Sequence, residues 1–353
     1  MKRGGKGQRG RGASSNPKVR FDPLEIELDE DEIEGERPLA RTRFYDDASE
    51  SIITYNKSPD IPFSASVNAY RGCEHGCAYC YARPTHEYLG FSAGLDFESK
   101  IMVKRRAPEL LKKELGASRW KPQQLVMSGV TDPYQPIERK LKLTRRCLEV
   151  LEAFGNPVGL ITKNRLVVRD VDILGPMAEK QLCSVFVSIT TLDAELARVM
   201  EPRTSSPKAR LEAVSALAGA GIPVGVMMAP VIPGLNDHEI PALLKAAKEA
   251  GAQSATYVLL RLPYGVKDIF FDWVDQAYPN RRDKVESRLR DLREGALNRT
   301  AFGERFSGKG IFAEQIRQLF EVSRRRVGLE SKLPDVSTEF FRRPDSPQME
   351  WEF

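Results

Sequence analysis

The chain has 353 residues, 41% of them hydrophobic, enough for one large core of the α/β barrel kind or for two smaller domains. Its formal charge of +5 is small beside 54 basic and 49 acidic residues, so net charge selects no partner. No run approaches ~18 uninterrupted apolar residues, the N-terminal stretch has no apolar signal-like region, and five cysteines are too few for a disulfide scaffold; these features argue against a membrane or secreted protein and make a cytoplasmic setting the expectation.

In chain order, the first stretch reads MKRGGKGQRGRGASSNPKVR, rich in Gly, Ser, Lys and Arg, and is followed by the acidic run LEIELDEDEIEGE over residues 24–36. Gly, Ser, Lys and Arg leave no core in the first half and the second reverses its charge, so residues 1–37 are expected to be a disordered tail, basic then acidic. The basic half is either a solvated arm attracted to the acidic half or a segment that touches nucleic-acid phosphates. Residues 38–65 form a lead-in.

From 66 to 262 the pattern changes to strand alternating with helix. Strands are expected at Ser66–Tyr70, Gln124–Met127, Val158–Thr162, Ser184–Ile189, Pro223–Met228 and Ala255–Leu260. Helices are expected at Pro136–Phe154, Ser206–Gly219 and Ile240–Ala250, bounded by Ser206 at one end and by Gly219, Gly221 and Gly251 at others. Alternation of this kind predicts a parallel sheet, and six units suit an open, partial barrel. Residues 263–330 read as a helical extension with Arg-rich amphipathic helices at Asp283–Ala296 and Ile311–Val327, and 331–353 as a loose C-terminal tail.

The strongest chemical signal is RGCEHGCAYCYAR, in which Cys73, Cys77 and Cys80 follow the first strand with spacing C-x3-C-x2-C. Thiolates are the ligands of iron–sulfur clusters. Three cysteines on a four-iron cube leave one iron open to bind a substrate. A structural zinc site is the competing reading; it needs a fourth ligand, for which His75 and His86 are the neighbours. Cys147 and Cys183 have no partner motif and read as packing residues.

This cysteine motif at the head of a partial α/β barrel resembles the radical S-adenosylmethionine (SAM) superfamily. Together with SGVTDPYQPIE, LITKN, VSITT, MEPRTSSP and APVIPGLND, in that order, it looks like the branch that contains spore photoproduct lyase. The resemblance covers roughly residues 64–330. It implies a partial (β/α)6 barrel, a 4Fe–4S cluster on the three cysteines, SAM bound at the open iron, and a lyase-like radical enzyme of unknown substrate. A flavodoxin- or ferredoxin-type electron donor follows as a partner, with Arg324, Arg325 and Arg326 as a candidate docking face.

Ligands of parallel α/β sheets sit at the C-terminal ends of strands, and the resemblance assigns residues there to SAM. The turn Ser128–Asp132, with Ser128, Thr131 and Asp132, would meet its amino-acid end; Asp132 alone also reads as a turn residue before Pro133. Lys163, Ser188 and Ala229 end later strands and would line the same site. Arg203 would bind a carboxylate or pair with Glu201. Tyr79 would pack on the adenine, and Tyr81 would lie beside the radical. One departure matters. Spore photoproduct lyase carries a hydrogen-donating cysteine beside the Thr131–Asp132 turn, where this chain has Ser128 and Val130. The resemblance therefore does not carry the thymine-dimer repair reaction across. Nucleic acid is the favoured substrate class; a non-catalytic, metal-stabilised nucleic-acid-binding protein is the alternative.

Overall fold

A computed structural model describes residues 10–21, 41–299, 302–303 and 305–344. The lead-in contributes β1 (Arg43–Asp46) and β2 (Ile53–Tyr55); the strand expected at Ser66–Tyr70 is replaced by β3 (Ala65–Val67) and β4 (Tyr70–Arg71), which join different sheets. A short helix α1 (Leu95–Ser99) runs into β5 (Lys100–Val103), and α2 (Ala107–Gly116) leads to β6 (Leu125–Met127). Next come α3 (Glu138–Leu141), α4 (Leu143–Phe154), β7 (Val158–Thr162), α5 (Val171–Glu179), β8 (Cys183–Ser188), α6 (Ala194–Met200) and α7 (Pro207–Gly219). The barrel closes its sequence with β9 (Val224–Val231), α8 (Ile240–Glu249) and β10 (Ser254–Leu259); α9 (Val266–Ala277), α10 (Arg282–Asp291) and α11 (Ile311–Arg326) follow.

The main sheet has the order β10-β9-β8-β7-β6-β3-β2. Every neighbouring pair is parallel except β2 with β3. The six parallel strands stand in chain order without a reversal. Crossovers that always step the same way keep their helices on one face, which produces a barrel-like arc rather than a doubly wound sheet. This is the expected partial (β/α)6 barrel. A second sheet, β1-β5-β4, stands beside it.

Local chemistry explains most of the boundaries. Ser206 caps α7 by accepting from the Ala209 amide at 3.3 Å, and Asp193 caps α6 through the Glu195 amide at 2.8 Å. The helix expected over Pro136–Phe154 is broken in two, because Lys142 adopts φ 53° between α3 and α4. The helix α9 was not anticipated; its FF and W residues, Phe270, Phe271 and Trp273, pack with Ile232, Leu260 and Met200 under the cysteine loop.

Two tail segments differ from expectation. Residues 10–21 are not a solvated arm. Arg11, Gly12 and Ala13 are buried. The Gly12 and Ala13 amides donate to the Glu98 carboxylate at 3.2 and 2.8 Å, and Arg11 donates to the Glu98 carbonyl at 2.7 Å. The contacts are this close because residue 12 is glycine: a Cβ there would sit 1.8 Å from the Gly76 carbonyl oxygen. At the other end, residues 335–344 pack under the barrel. The Arg342 amide donates to the Phe154 carbonyl at 2.8 Å, the Ser337 amide to Gln181 at 2.8 Å, and Phe341 lies against Phe154. The acidic run 24–36 and the last residues, 345–353, lie outside the described residues.

Candidate functional site

The cysteine loop follows β4 and is tied down from several sides. The Cys73 amide donates to the Phe97 carbonyl at 2.9 Å, and the Ala78 amide to Met200 at 3.0 Å. Gln135 accepts from the Glu74 amide at 3.0 Å, and Glu74 in turn accepts from the Ile137 amide at 2.9 Å. Arg83, fully buried, wraps the loop from within. It donates twice to the Cys77 carbonyl, at 3.0 and 2.8 Å, and pairs with Glu98 at 2.5 Å. Glu98 is the same carboxylate that holds residues 12 and 13, so one buried ion pair joins the N-terminal strap to the cysteine loop.

The strand-end residues assemble into two groups. Lys163, beyond β7, is no exposed loop lysine. Its ammonium donates to Ser188 Oγ at 2.8 Å, to the Ala229 carbonyl at 2.9 Å and to Thr190 Oγ1 at 3.1 Å. It stands 3.7 Å from Glu201 and 5.4 Å from the Tyr79 ring centroid. Lys163, Ser188, Ala229 and Tyr79 are thus brought together from three strand ends and the cysteine loop. Asp132 forms the second group. Its carboxylate accepts from Thr162 Oγ1 at 2.7 Å and from the Tyr134 and Lys163 amides, each at 2.8 Å, and His75 Nδ1 faces it at 3.4 Å. Burial would raise its pKa, but His75 and these donors hold it below the ordinary value. Asp132 therefore organises its own turn as well as facing the site.

Other expected residues have structural duties. Thr131 donates to the Gly72 carbonyl at 2.6 Å, supporting the start of the cysteine loop. Ser128 is half-buried at the end of β6. Arg203 does not pair with Glu201: its guanidinium lies 3.6 Å from Glu74 and 3.3 Å from Thr42 Oγ1. Glu201 instead binds Arg210 and the Tyr79 hydroxyl. Tyr79 is buried, whereas Tyr81 is 50% exposed. Arg210 and Asn164 went unassigned in the sequence, and Glu201 was read only as a possible partner of Arg203, since a lone charged or amide residue beside a helix carries no pattern. Cys147 and Cys183 are fully packed in the core, as expected.

Of the two histidines offered for zinc, His75 is engaged through both ring nitrogens, Nδ1 facing Asp132, whereas the buried Nδ1 of His86 has no partner. His75 Nε2 contacts Asn164 Nδ2 at 3.2 Å, and His86 Nε2 contacts the Lys100 carbonyl at 2.9 Å. Among the described residues no group of His, Cys, Asp or Glu is placed to hold a single ion.

A family model for the radical SAM superfamily matches residues 67–247, more than half of the chain. An uncharacterised protein of Mycobacterium tuberculosis is 38% identical over 242 residues, spanning 67% of this chain and 70% of its own. The chain belongs to the radical SAM superfamily. An uncharacterised protein of Methanocaldococcus jannaschii is 31% identical over 175 residues, 49% of this chain and 62% of its own. A spore photoproduct lyase variant has the same fold at a TM-score of 0.55 and 18% identity, with 81% of this chain and 80% of that one aligned. A second lyase structure, which has bound AdoMet and a dinucleoside spore photoproduct, aligns equally well, with a TM-score of 0.55.

Membership in the radical SAM superfamily implies SAM and an iron–sulfur cluster, and the donor set fits such a cluster. Burial pushes the thiols of Cys73, Cys77 and Cys80 upward, so each is a poor thiolate until a metal replaces its proton. A cube presents separate irons to separate sulfurs, so its three cysteines need not converge on one point.

Proposed function

We propose that Cys73, Cys77 and Cys80 hold a 4Fe–4S cluster and that the chain is a radical SAM enzyme acting on nucleic acid. The single observation that carries the SAM-binding part of this reading is the convergence of Lys163, Ser188, Ala229 and Tyr79 beside the cysteine loop at the C-terminal end of the parallel arc; nucleic acid is proposed as the substrate class and rests on no contact of this group. When bound, the cluster supplies one electron that cleaves SAM to methionine and a 5′-deoxyadenosyl radical able to remove hydrogen from substrate.

The residues divide the remaining work. Lys163, whose three N–H groups here meet Ser188, Thr190 and the Ala229 carbonyl, would exchange one of these contacts for the carboxylate of SAM. Ser188 and the Ala229 carbonyl give directional polar contacts on the adenosine side. Asp132 and Ser128 face the amino end, and Thr131 holds the loop that they face. Arg203 supports Glu74 rather than SAM. Tyr79 closes the floor with its ring, its hydroxyl anchored on Glu201, and the exposed Tyr81 borders the substrate side.

A flavodoxin- or ferredoxin-type protein is the proposed electron donor, but its docking face moves. Arg324 is buried and donates to the Leu329 carbonyl at 2.6 Å. Glu330, just beyond it, pairs with the start of β10 at Ser254. The triplet Arg324–Arg326 thus sits near the start of β10, whereas the cysteine loop sits by the opposite strand ends, so we do not propose it as the docking face.

The test is anaerobic reconstitution with iron and sulfide, reduction, and chromatography for 5′-deoxyadenosine. Wild type should form it, and Cys77→Ala should lose it entirely. A wild-type protein that binds zinc and leaves SAM intact would return the chain to the metal-stabilised binding alternative.

A further inference from the structure

Beside the cysteine loop runs a ladder of alternating rings and guanidinium groups. Tyr81, directly after Cys80, lies under Arg261, whose Cζ is 5.7 Å from the ring centroid. The same guanidinium stands 4.8 Å from the Phe306 ring. Phe306 then meets Arg305 at 4.9 Å, and Arg305 meets Phe302 at 5.0 Å. The two end rings are open to solvent, Tyr81 at 50% and Phe302 at 61%. Arg261 follows β10, at the same end of the sheet as the cysteines.

The two arginines are not equivalent. Arg305 is neutralised by Asp60, 2.7 Å from its Nε. Arg261 has no hydrogen bond or ion pair among the described residues; the Nε of both arginines is buried without a hydrogen-bond acceptor, and Asp60 reaches Arg261 only through its charge. Arginines stacked on rings as structural filler ordinarily place their N–H groups on carbonyls or carboxylates. A guanidinium left without an acceptor at the mouth of an active barrel retains its bidentate donor edge for an incoming anion.

We propose that this ladder is the track for a single-stranded nucleic acid, with bases stacked on Tyr81 and Phe302 and phosphate held by Arg261. A small carboxylate would need one arginine and no row of rings. A duplex would hide the base faces that open rings receive. Alternating rings and cations match the alternating bases and phosphates of an unpaired strand. The inference deepens the function proposed above and rests on it for the chemistry, though not for binding.

The experiment is fluorescence anisotropy of the reconstituted, unreduced full chain with a short labelled mixed-sequence single strand of DNA or RNA, over a salt series. Arg261→Gln should weaken binding about tenfold and flatten the slope of log affinity against log salt by ~0.7, the loss of one phosphate contact. Arg261→Lys should restore the slope, which separates lost charge from lost fold. Phe302→Ala, at an exposed ring, should weaken binding about tenfold with the slope unchanged. Arg325→Gln, exposed at the far end of the barrel, should change nothing. The proposal is overturned if wild type does not bind the strand at low salt, if a duplex competes as well as a single strand, or if Arg261→Gln and Arg325→Gln weaken binding equally. Failure of the radical reading is seen separately, as missing deoxyadenosine in reduced protein that still binds the strand.

Discussion

Glu201 is the residue on which the floor of the site depends. Its carboxylate is fully buried, and burial alone would raise its pKa; Arg210, then Lys163 and the Tyr79 hydroxyl, bring it below 4.5. Because the folded value is depressed, its stabilising contribution is complete above 4.5 and disappears as pH falls through the lowered value. Arg210→Met should therefore cost about 3–5 kcal/mol in urea unfolding at neutral pH, since it strands a buried charge. A cost below ~1 kcal/mol would show that water reaches Glu201. Lys163→Met acts on a different quantity. It removes the cation offered to SAM and should weaken SAM binding at least about tenfold in equilibrium dialysis of the reconstituted protein, in line with loss of one charge-assisted contact. Unaltered SAM affinity would leave Lys163 its contacts to Ser188, Thr190 and Ala229 and its pairing with Glu201.

At the scale of elements, the N-terminal strap is the part whose composition misleads most. A Gly-, Ser- and Arg-rich segment cannot build a core, yet three of its residues are buried because a core built elsewhere receives them. The receiving groups are Glu98 and the Gly76 carbonyl, about 65 or more residues away in the chain. Gly12→Val forces a Cβ into that carbonyl and should detach the strap. The expected result is a few-fold faster loss of the cluster's visible absorbance in air, with circular dichroism unchanged. Equal bleaching of variant and wild type would mean that the strap does not shield the cluster.

Across the described residues, segments 10–21 and 335–344 pack at opposite ends of the barrel. The strap covers the cysteine loop, while residues 337–343 run beneath the turns that precede β6, β7 and β8, through the Trp120 and Phe154 carbonyls and Gln181. Phe341 packs on the main core from outside. A chain ending at residue 334 should lose about 2 kcal/mol of stability, the burial of roughly one large apolar side chain, while deoxyadenosine formation persists. If the truncation instead abolishes deoxyadenosine without lowering the unfolding midpoint, the floor is coupled to the site.

The strand–helix alternation, the six parallel strands and the packing role of Cys147 and Cys183 were readable from the chain alone, because periodicity, caps and β-branched runs act over a few residues. The three cysteines stood out for the same reason, since their spacing on one short loop is a local pattern of metal ligands, though it left iron–sulfur and zinc both open. Long-range pairing was not. That Glu201 joins Arg210 and Tyr79 rather than Arg203, that Thr131 serves Gly72, and that Arg261 stacks on Tyr81 are outcomes of where strand ends meet. Single charged residues carry no local pattern, and their partners are chosen by burial, which forces each buried charge to find a counter-charge in whatever part of the chain the fold brings near.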